Sequence, residues 1–395
     1  MLLNIISSQH HLTPIQLHQR TSRSKGESRL SLVALATMAF YWGRCFACRG
    51  STNQIVSFSR YFSPIQYRSQ STAVHRLTLQ QYRLREELER DHNQCRQAFL
   101  NGKFAIFNGN KPYMTRTDRG NLLMTKVNYQ DVQKLVNMDT DNYEVPNFVF
   151  LGLHDNRPFF AIDVSQCSSD ILPSPNEIEI SQPGKFYSCM RSLTLIEHSE
   201  NSLFLKALSL IHFHKTISYC SRCGNKTYRY FSGSRRYCMN CRVTFYPQVS
   251  PVVAALVIRD GECLLARQPS FPEGLYSGLA GFCEPGESLE ECARREVAEE
   301  IGVLSETVEF QGTQGWTLGI GDTSLMIGCY VTVDSSAEIN INGLELEDAK
   351  WFTRQDVKKL IACTPKPIAI NGLPVFIPPP VAIAHQLLSD WANKC

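Results

Sequence analysis

"GFCEPGESLEECARREVAEEIG", residues 281–302, carries seven glutamates in 22 residues, and Glu296, Glu299 and Glu300 crowd into its last turns. Ser288 followed by Glu291 predicts a capping box at a helix start. Gly302 predicts a left-handed stop. At about 100° per residue, Leu289, Cys292, Ala293, Val297 and Ile301 form one apolar arc that would face a core. Glu296 and Glu300 project into the middle of that arc and Glu299 lies at its edge. A solvated acidic face would lie opposite the arc, so these carboxylates are expected to point inward.

Like charges three and four residues apart destabilise a helix by roughly 0.2–0.5 kcal/mol per pair. A buried carboxylate is costly unless it is paired or binds a metal. Arg295 can compensate one charge but not a cluster. A hard divalent cation, Mg²⁺ or Mn²⁺, takes carboxylate oxygens and shares its shell with substrate phosphates. Gly281, Pro285 and Gly286 supply a tight loop before the helix, able to bring backbone close to a ligand.

The spacing is Gly281, five residues, Glu287, seven residues, Arg295-Glu296-Val297, one residue, Glu299-Glu300, one residue, Gly302-Val303. It resembles the complete Nudix box, the loop–helix–loop of hydrolases that cleave a diphosphate linked to another moiety. The resemblance implies an α/β fold of the α+β kind, an α/β/α sandwich around a mixed sheet.

Upstream, "YCSRCGNKTYRYFSGSRRYCMNCRVTFYP" (219–247) holds Cys220, Cys223, Cys238 and Cys241. Two Cys-x-x-Cys pairs can clasp one tetrahedral metal, and four thiolates leave no open position, so a structural zinc is expected. A redox motif would need one pair in a βαβ setting, which is absent. Cys45 and Cys48 form a third such pair, with no partner pair nearby. The remaining cysteines are scattered, in a chain far longer than a small disulfide scaffold. Residues 251–258 read as a buried strand ending in an Asp260-Gly261 hairpin turn.

The order of ribbon, Tyr-Pro, strand and box resembles the zinc-ribbon NADH pyrophosphatase subfamily of Nudix hydrolases, of the mitochondrial NAD(P)H type. Gln248 stands where that subfamily usually has arginine. "TQGWTLGIGDTSLMIGCYV" (313–331) keeps Gln314, Trp316 and Ser324-Leu325-Met326 of the subfamily's substrate-selecting loop but lacks its prolines and phenylalanine. A tryptophan flanked by glycines in a loop suits stacking on a planar ring. "LELEDAKWF" (344–352) resembles the segment supplying one more metal-binding glutamate, which maps onto Glu345 with Glu347 as competitor. "FIPPPVAIAHQLLSDW" (376–391) resembles the closing segment, whose substrate contact falls on Ala384. The resemblance further implies metal binding by the Ala280 carbonyl, Glu296, Glu300 and Glu345, with Glu299 as ligand or water-activating group. It places Tyr246, Phe282, Gln314, Trp316, Ser324 and Ala384 around the substrate. Arg295 orients the glutamates and Glu287 braces the loop.

Charge is unevenly distributed. Residues 1–85 hold 11 Lys/Arg and one acid, Glu27, whereas the remainder holds 29 basic and 36 acidic residues. The arginine- and serine-rich, acid-poor lead has the composition of a mitochondrial transit peptide. Its apolar run 30–43 is shorter than the roughly 20 residues of a membrane-spanning helix. The acidic body lacks the balance of a general nucleic-acid binder. The expected organisation is a leader (1–75), an N-terminal β-rich domain (76–200), a helix and zinc ribbon (201–247) and the hydrolase domain (248–395). Residues 79–101 read as one polar helix, 147–165 as two strands around a turn, and 202–220 as a helix into the ribbon. His212 and His214 are expected to pack or face solvent rather than ligate metal. No internal repeat is visible.

The expected reaction is metal-dependent hydrolysis of NAD(P)H to reduced nicotinamide mononucleotide and AMP or its 2′-phosphate. Rival readings are a Nudix hydrolase acting on ADP-ribose, oxidised nucleotides or NAD-capped RNA, and a non-catalytic zinc-ribbon nucleotide or RNA binder. The resemblance also implies a homodimer.

Overall fold

The computed structural model describes residues 79–136, 148–165, 181–317 and 323–394. The expected leader and Cys45/Cys48 lie outside these residues, as does the 318–322 part of the altered loop. Residues 79–101 form two helices rather than one: α1 (Leu79–Arg90) and α2 (His92–Leu100). Asp91 divides them. It turns extended (φ −102°, ψ 116°), and its side chain accepts from the amides of Asn93 and Gln94, capping the second helix. Counting apolar spacing alone misses such an internal cap.

The first sheet comprises β1 (Lys103–Asn108), β2 (Lys111–Arg116), β3 (Leu122–Met124), β4 (Val127–Asn128), β5 (Phe148–His154), β6 (Arg157–Asp163) and β7 (Lys185–Phe186), with α3 (Tyr129–Val136) after β4. Its strand path is β3-β2-β1-β6-β5. β5 and β6 are the expected strand pair, and their turn puts Asp155 and Asn156 at φ 49° and 59°, the geometry of a two-residue hairpin. Phe99, Phe104, Phe148 and Phe160 fill one face. After α4 (Cys189–Leu195), helix α5 (Asn201–Thr216) covers the other face through Phe204, Leu208 and Ile211.

The ribbon follows as β8 (Thr227–Arg229), β9 (Arg236–Cys238) and β10 (Thr244–Phe245). His214 is buried between α5 and the ribbon. Its Nε2 lies 2.7 Å from the Gly233 carbonyl, while the Arg236 guanidinium donates to Nδ1 at 3.3 Å. Nε2 therefore carries the proton. Burial and the Arg229 charge push the imidazole down to about 3, so it is a neutral packing clamp.

The second sheet has the path β14-β15-β11-β12-β16 with β13 on β11. These strands are β11 (Val249–Arg259), β12 (Glu262–Arg267), β13 (Leu279–Phe282), β14 (Ser305–Trp316), β15 (Thr323–Val333) and β16 (Asp348–Thr353). β11 and β15 run parallel and every other pair is antiparallel, so the sheet is mixed. Along β11, Val253, Ala255 and Val257 pack beneath α6 (Leu289–Ile301). Ala254 and Leu256 face the opposite layer, α7 (Arg354–Cys363) and α8 (Ile383–Asn393). A strand buried on both faces reads as an unbroken apolar run. The result is an α/β/α sandwich. A short hairpin, β17 (Ile368–Ile370) and β18 (Leu373–Val375), joins α7 to α8. Among the described residues, no helix is long and apolar enough to cross a membrane.

Candidate metal and diphosphate site

The capping box at Ser288 and Glu291 forms as expected, and Gly302 closes α6 at φ 68°. Cys292, Ala293, Val297 and Ile301 are fully buried, whereas Leu289, the first residue of the helix, is 40 % exposed. Glu296 and Glu300 point inward with them, at 8 % and 3 % exposure.

Arg295 is the brace of the cluster. Its Nε and Nη2 hold the two Glu287 oxygens at 2.6 and 3.0 Å. Its Nη1 reaches Glu296 Oε1 at 2.8 Å and Glu299 Oε2 at 3.1 Å, and Nη2 also donates to the Phe282 carbonyl at 2.9 Å. Glu287 in turn accepts from the Glu284 amide. The Arg295 hydrogen bonds, foremost, hold the Glu287 carboxyl down at about 2. The guanidinium thus ties loop to helix and aligns three carboxylates.

Glu300 receives no such help. Its Oε2 is buried with no hydrogen-bond partner. Burial first, then the charges of Glu296, Glu345 and Glu299, push its carboxyl up to about 8. Burial likewise raises Glu296, with Arg295 opposing. An orphaned carboxylate facing three others is the donor set of a hard divalent cation. Gly281 supplies a second sign of fit, since a Cβ there would lie 1.7 Å from the Glu296 carboxyl carbon. Gly281→Ala should therefore displace that flexible carboxylate rather than the backbone. It should lower turnover by about a hundredfold, with a melting temperature within a few degrees of wild type; an unchanged rate would sever the glycine from the site.

Glu345 lies in a turn that the structure fastens to α6. The amides of Asn340 and Asn342 donate to the carbonyls of Ile301 and Glu300, each at 2.9 Å, satisfying acceptors that a helix end leaves open. Its competitor Glu347 is occupied elsewhere, on Arg267 at 2.8 Å. Sequence reading missed Asn340 and Asn342, because neither carries a local motif and both act through backbone.

The substrate-side candidates converge unequally. In the sheet, Gln314 pairs with Met326, Met326 with Val252, and Val252 with Phe282. Two positions along, Trp316 pairs with Ser324 and Ser324 with Ser250. Phe282, Trp316 and Ser324 therefore share one end of the sheet. Ala280 sits on β13 opposite Ala254. Tyr246 and Phe282 are about half exposed. One expectation changes, and one candidate has a further role. Trp316 ends a strand rather than sitting in a loop, because Gly312 to Trp316 continue the ladder past a bulge. Gln314 has both amide ends committed: Nε2 donates to the Val381 carbonyl and Oε1 accepts from the Ile383 amide at 2.7 Å. It caps α8, whose own N-cap Ala382 has no capping side chain, and so positions Ala384.

The four cysteines meet. Their sulfurs lie within 4.8 Å of one another, and among the described residues they are the one His/Cys/Asp/Glu group so tightly gathered. Cys220 and Cys241 sulfurs are 3.4 Å apart, Cys223 and Cys238 3.5 Å. A tetrahedron with zinc–sulfur bonds of about 2.3 Å has edges of about 3.8 Å. Gly224 and Arg242, each following the second cysteine of its pair, take φ 72° and 58°, so both knuckles turn alike.

Residues 249–369 match the NUDIX domain family. The chain is 35 % identical to the mitochondrial NAD(P)H pyrophosphatase NUDT13 of Homo sapiens over 78 % of this chain and 89 % of that one. It is 34 % identical to the Mus musculus NUDT13 over the same shares. It is 39 % identical to the NAD-capped RNA hydrolase NUDT12 of Macaca fascicularis, over 51 % of this chain and 44 % of the relative.

Proposed function

The chain belongs to the Nudix hydrolases of the NAD(P)H pyrophosphatase type, and from that premise we propose that it cleaves the diphosphate of NAD(P)H. The products are reduced nicotinamide mononucleotide and AMP, or the 2′-phosphate of AMP. The observation that carries this reading is the buried, partnerless Glu300 carboxylate among Glu296, Glu299 and Glu345.

Mg²⁺ or Mn²⁺ would be held by Glu296, Glu299, Glu300, Glu345 and the Ala280 carbonyl. When bound, the ions neutralise the bridge oxygens and acidify a water for in-line attack. Arg295 keeps the carboxylates aligned and does not touch substrate. Glu299, more than half exposed on its side chain, would serve either as a ligand or as the group that accepts the proton that water gives up. Trp316, Phe282 and Tyr246 supply ring faces for the nicotinamide and adenine, and Ser324 and Ala384 complete the wall. A structural zinc in the four cysteines holds the ribbon.

We further propose the four-part division at 75, 200 and 247, a mitochondrial address carried by the leader, and a homodimer. The mitochondrial names of both NUDT13 relatives support the address. The net acidic charge of the body as a whole argues against nucleic-acid binding across its general surface, and NAD-capped RNA is the nucleic-acid substrate suggested by the NUDT12 relative.

The test is a product assay with Mg²⁺ or Mn²⁺. NADH, NADPH, NAD⁺, ADP-ribose, a nucleoside triphosphate and an NAD-capped RNA are offered separately. Preferential release of AMP and reduced mononucleotide from NADH is expected. Turnover of another diphosphate with indifference to NADH would keep the metal helix and overturn the substrate. Trp316→Ala should raise KM for NADH at least tenfold and change kcat less, because one stacked base contributes about 1–3 kcal/mol.

A further inference from the structure

From Asn201 to Arg259 the chain contains no Asp or Glu, although residues 86–395 as a whole are acidic. Within the ribbon, residues 219–248, stand six basic residues: Arg222, Lys226, Arg229, Arg235, Arg236 and Arg242. Three of these are structural. Arg229 donates to the Phe148 carbonyl, Arg236 holds Thr227 and His214, and Arg235 lies over the Tyr230 ring. Arg222, Lys226 and Arg242 are exposed, and their side chains make no hydrogen bond or ion pair to any described residue.

These three gather at the metal end of the ribbon. Arg222 lies inside the first knuckle, Arg242 directly follows the second, and the cysteine sulfurs bring both knuckles together. Lys226 bridges to Tyr219. On β8 Thr227 points inward at 1 % exposure, so Lys226 and Tyr228 project from the opposite, outer side. Tyr219 is 69 % exposed and Tyr228 47 %, and the Tyr228 and Tyr237 rings lie 6.1 Å apart. A divalent ion on four thiolates cancels two positive charges and leaves an excess.

We propose that this face, Arg222, Lys226 and Arg242 with Tyr219 and Tyr228, binds single-stranded nucleic acid. Cations spaced among exposed rings match alternating phosphates and unpaired bases. Three basic residues are few for an anionic membrane surface, where polybasic clusters of about four to eight are usual, Met239 being the exposed apolar side chain beside them at 67 %. An acidic protein would leave the rings without purpose. The face also adjoins the catalytic end. Only Tyr246 to Gln248 separate β10 from β11, and Val252 of β11 pairs with Phe282. From Tyr246 to Val252 is at most about 20 Å of extended chain. The inference goes beyond diphosphate hydrolysis and does not depend on it, because its test uses strands without a cap.

The zinc-loaded full chain would be titrated into a fluorescein-labelled 12-nucleotide single-stranded RNA, with anisotropy read across a salt series. Binding is expected to weaken at least tenfold in the Arg222→Ala/Lys226→Ala/Arg242→Ala variant. The slope of log affinity against log salt should shrink by about 2, since each lost contact to a single strand removes about 0.7. Tyr219→Ala/Tyr228→Ala should cost at least tenfold, and a ribose–phosphate strand without bases should bind correspondingly worse. Zinc content and kcat/KM for NADH should stay at wild-type values in both variants. Undetectable binding, an unaltered triple variant, or equal affinity for the baseless strand would overturn the proposal. So would preference for anionic phosphatidylserine vesicles over RNA.

Discussion

Glu300→Gln is expected to lower turnover about a thousandfold and, in protein freed of Mg²⁺ and Mn²⁺, to raise stability at pH 8. The first effect follows from the several kcal/mol that divalent ions contribute to such transition states, at about 1.4 kcal/mol per decade of rate. The second follows from the direction in which Glu300 titrates. Its folded carboxyl is pushed up to about 8 from the ordinary glutamate value of 4.5, by burial first and then by the neighbouring carboxylates. The folded protein therefore retains a proton that the unfolded chain has released. Its contribution to stability is fully present below about pH 4.5 and is lost as pH rises through 8, a change of roughly 4 kcal/mol. Glutamine keeps the shape without the charge, so that pH dependence should vanish. Adding Mg²⁺ should stabilise the wild type at pH 8 and leave the variant unmoved. Steady-state kinetics and melting curves at pH 6 and pH 8 measure both effects. A variant within tenfold of wild-type turnover, or less stable than wild type at pH 8, would remove Glu300 from the metal site.

Cys220→Ser/Cys223→Ser is expected to abolish zinc binding and to unfold the ribbon. β8, β9 and β10 are three, three and two residues long, too short to persist without a clasp. Structural zinc contributes apparent free energies of about 10–16 kcal/mol in isolated fingers. The damage should spread, because the ribbon holds α5 through His214 and Gly233 and holds β5 through Arg229 and Phe148. A fall in melting temperature of at least about 10 °C is expected, with zinc near zero by elemental analysis. A zinc-free variant melting with the wild type would mean that the cysteines do not carry the ribbon.

The ends of α6, its buried arc and the inward Glu296 and Glu300 were legible in sequence because each depends on residues within one or two turns. The ribbon cysteines were legible for the same reason, their pairs being local and their chemistry unambiguous. The two-helix break at Asp91 was missed because a cap inside a polar stretch leaves the apolar pattern unchanged. In the sequence Gln314 falls in the substrate-selecting segment, and nothing there announces its second role. Its capping of α8 spans 67 to 69 residues, and no local pattern records such a partner.

By itself the sequence determined the carboxylate-bearing helix, the two knuckles with their four cysteines and the two-faced strand between them, since helix periodicity, cap chemistry and cysteine spacing are properties of short stretches. Tertiary structure alone decided that Glu345 rather than Glu347 joins the carboxylates, that Arg295 spans Glu287, Glu296 and Glu299, and that Glu300 is left without a partner. Those outcomes rest on desolvation and on distances between segments far apart in the chain, which only the packed fold sets.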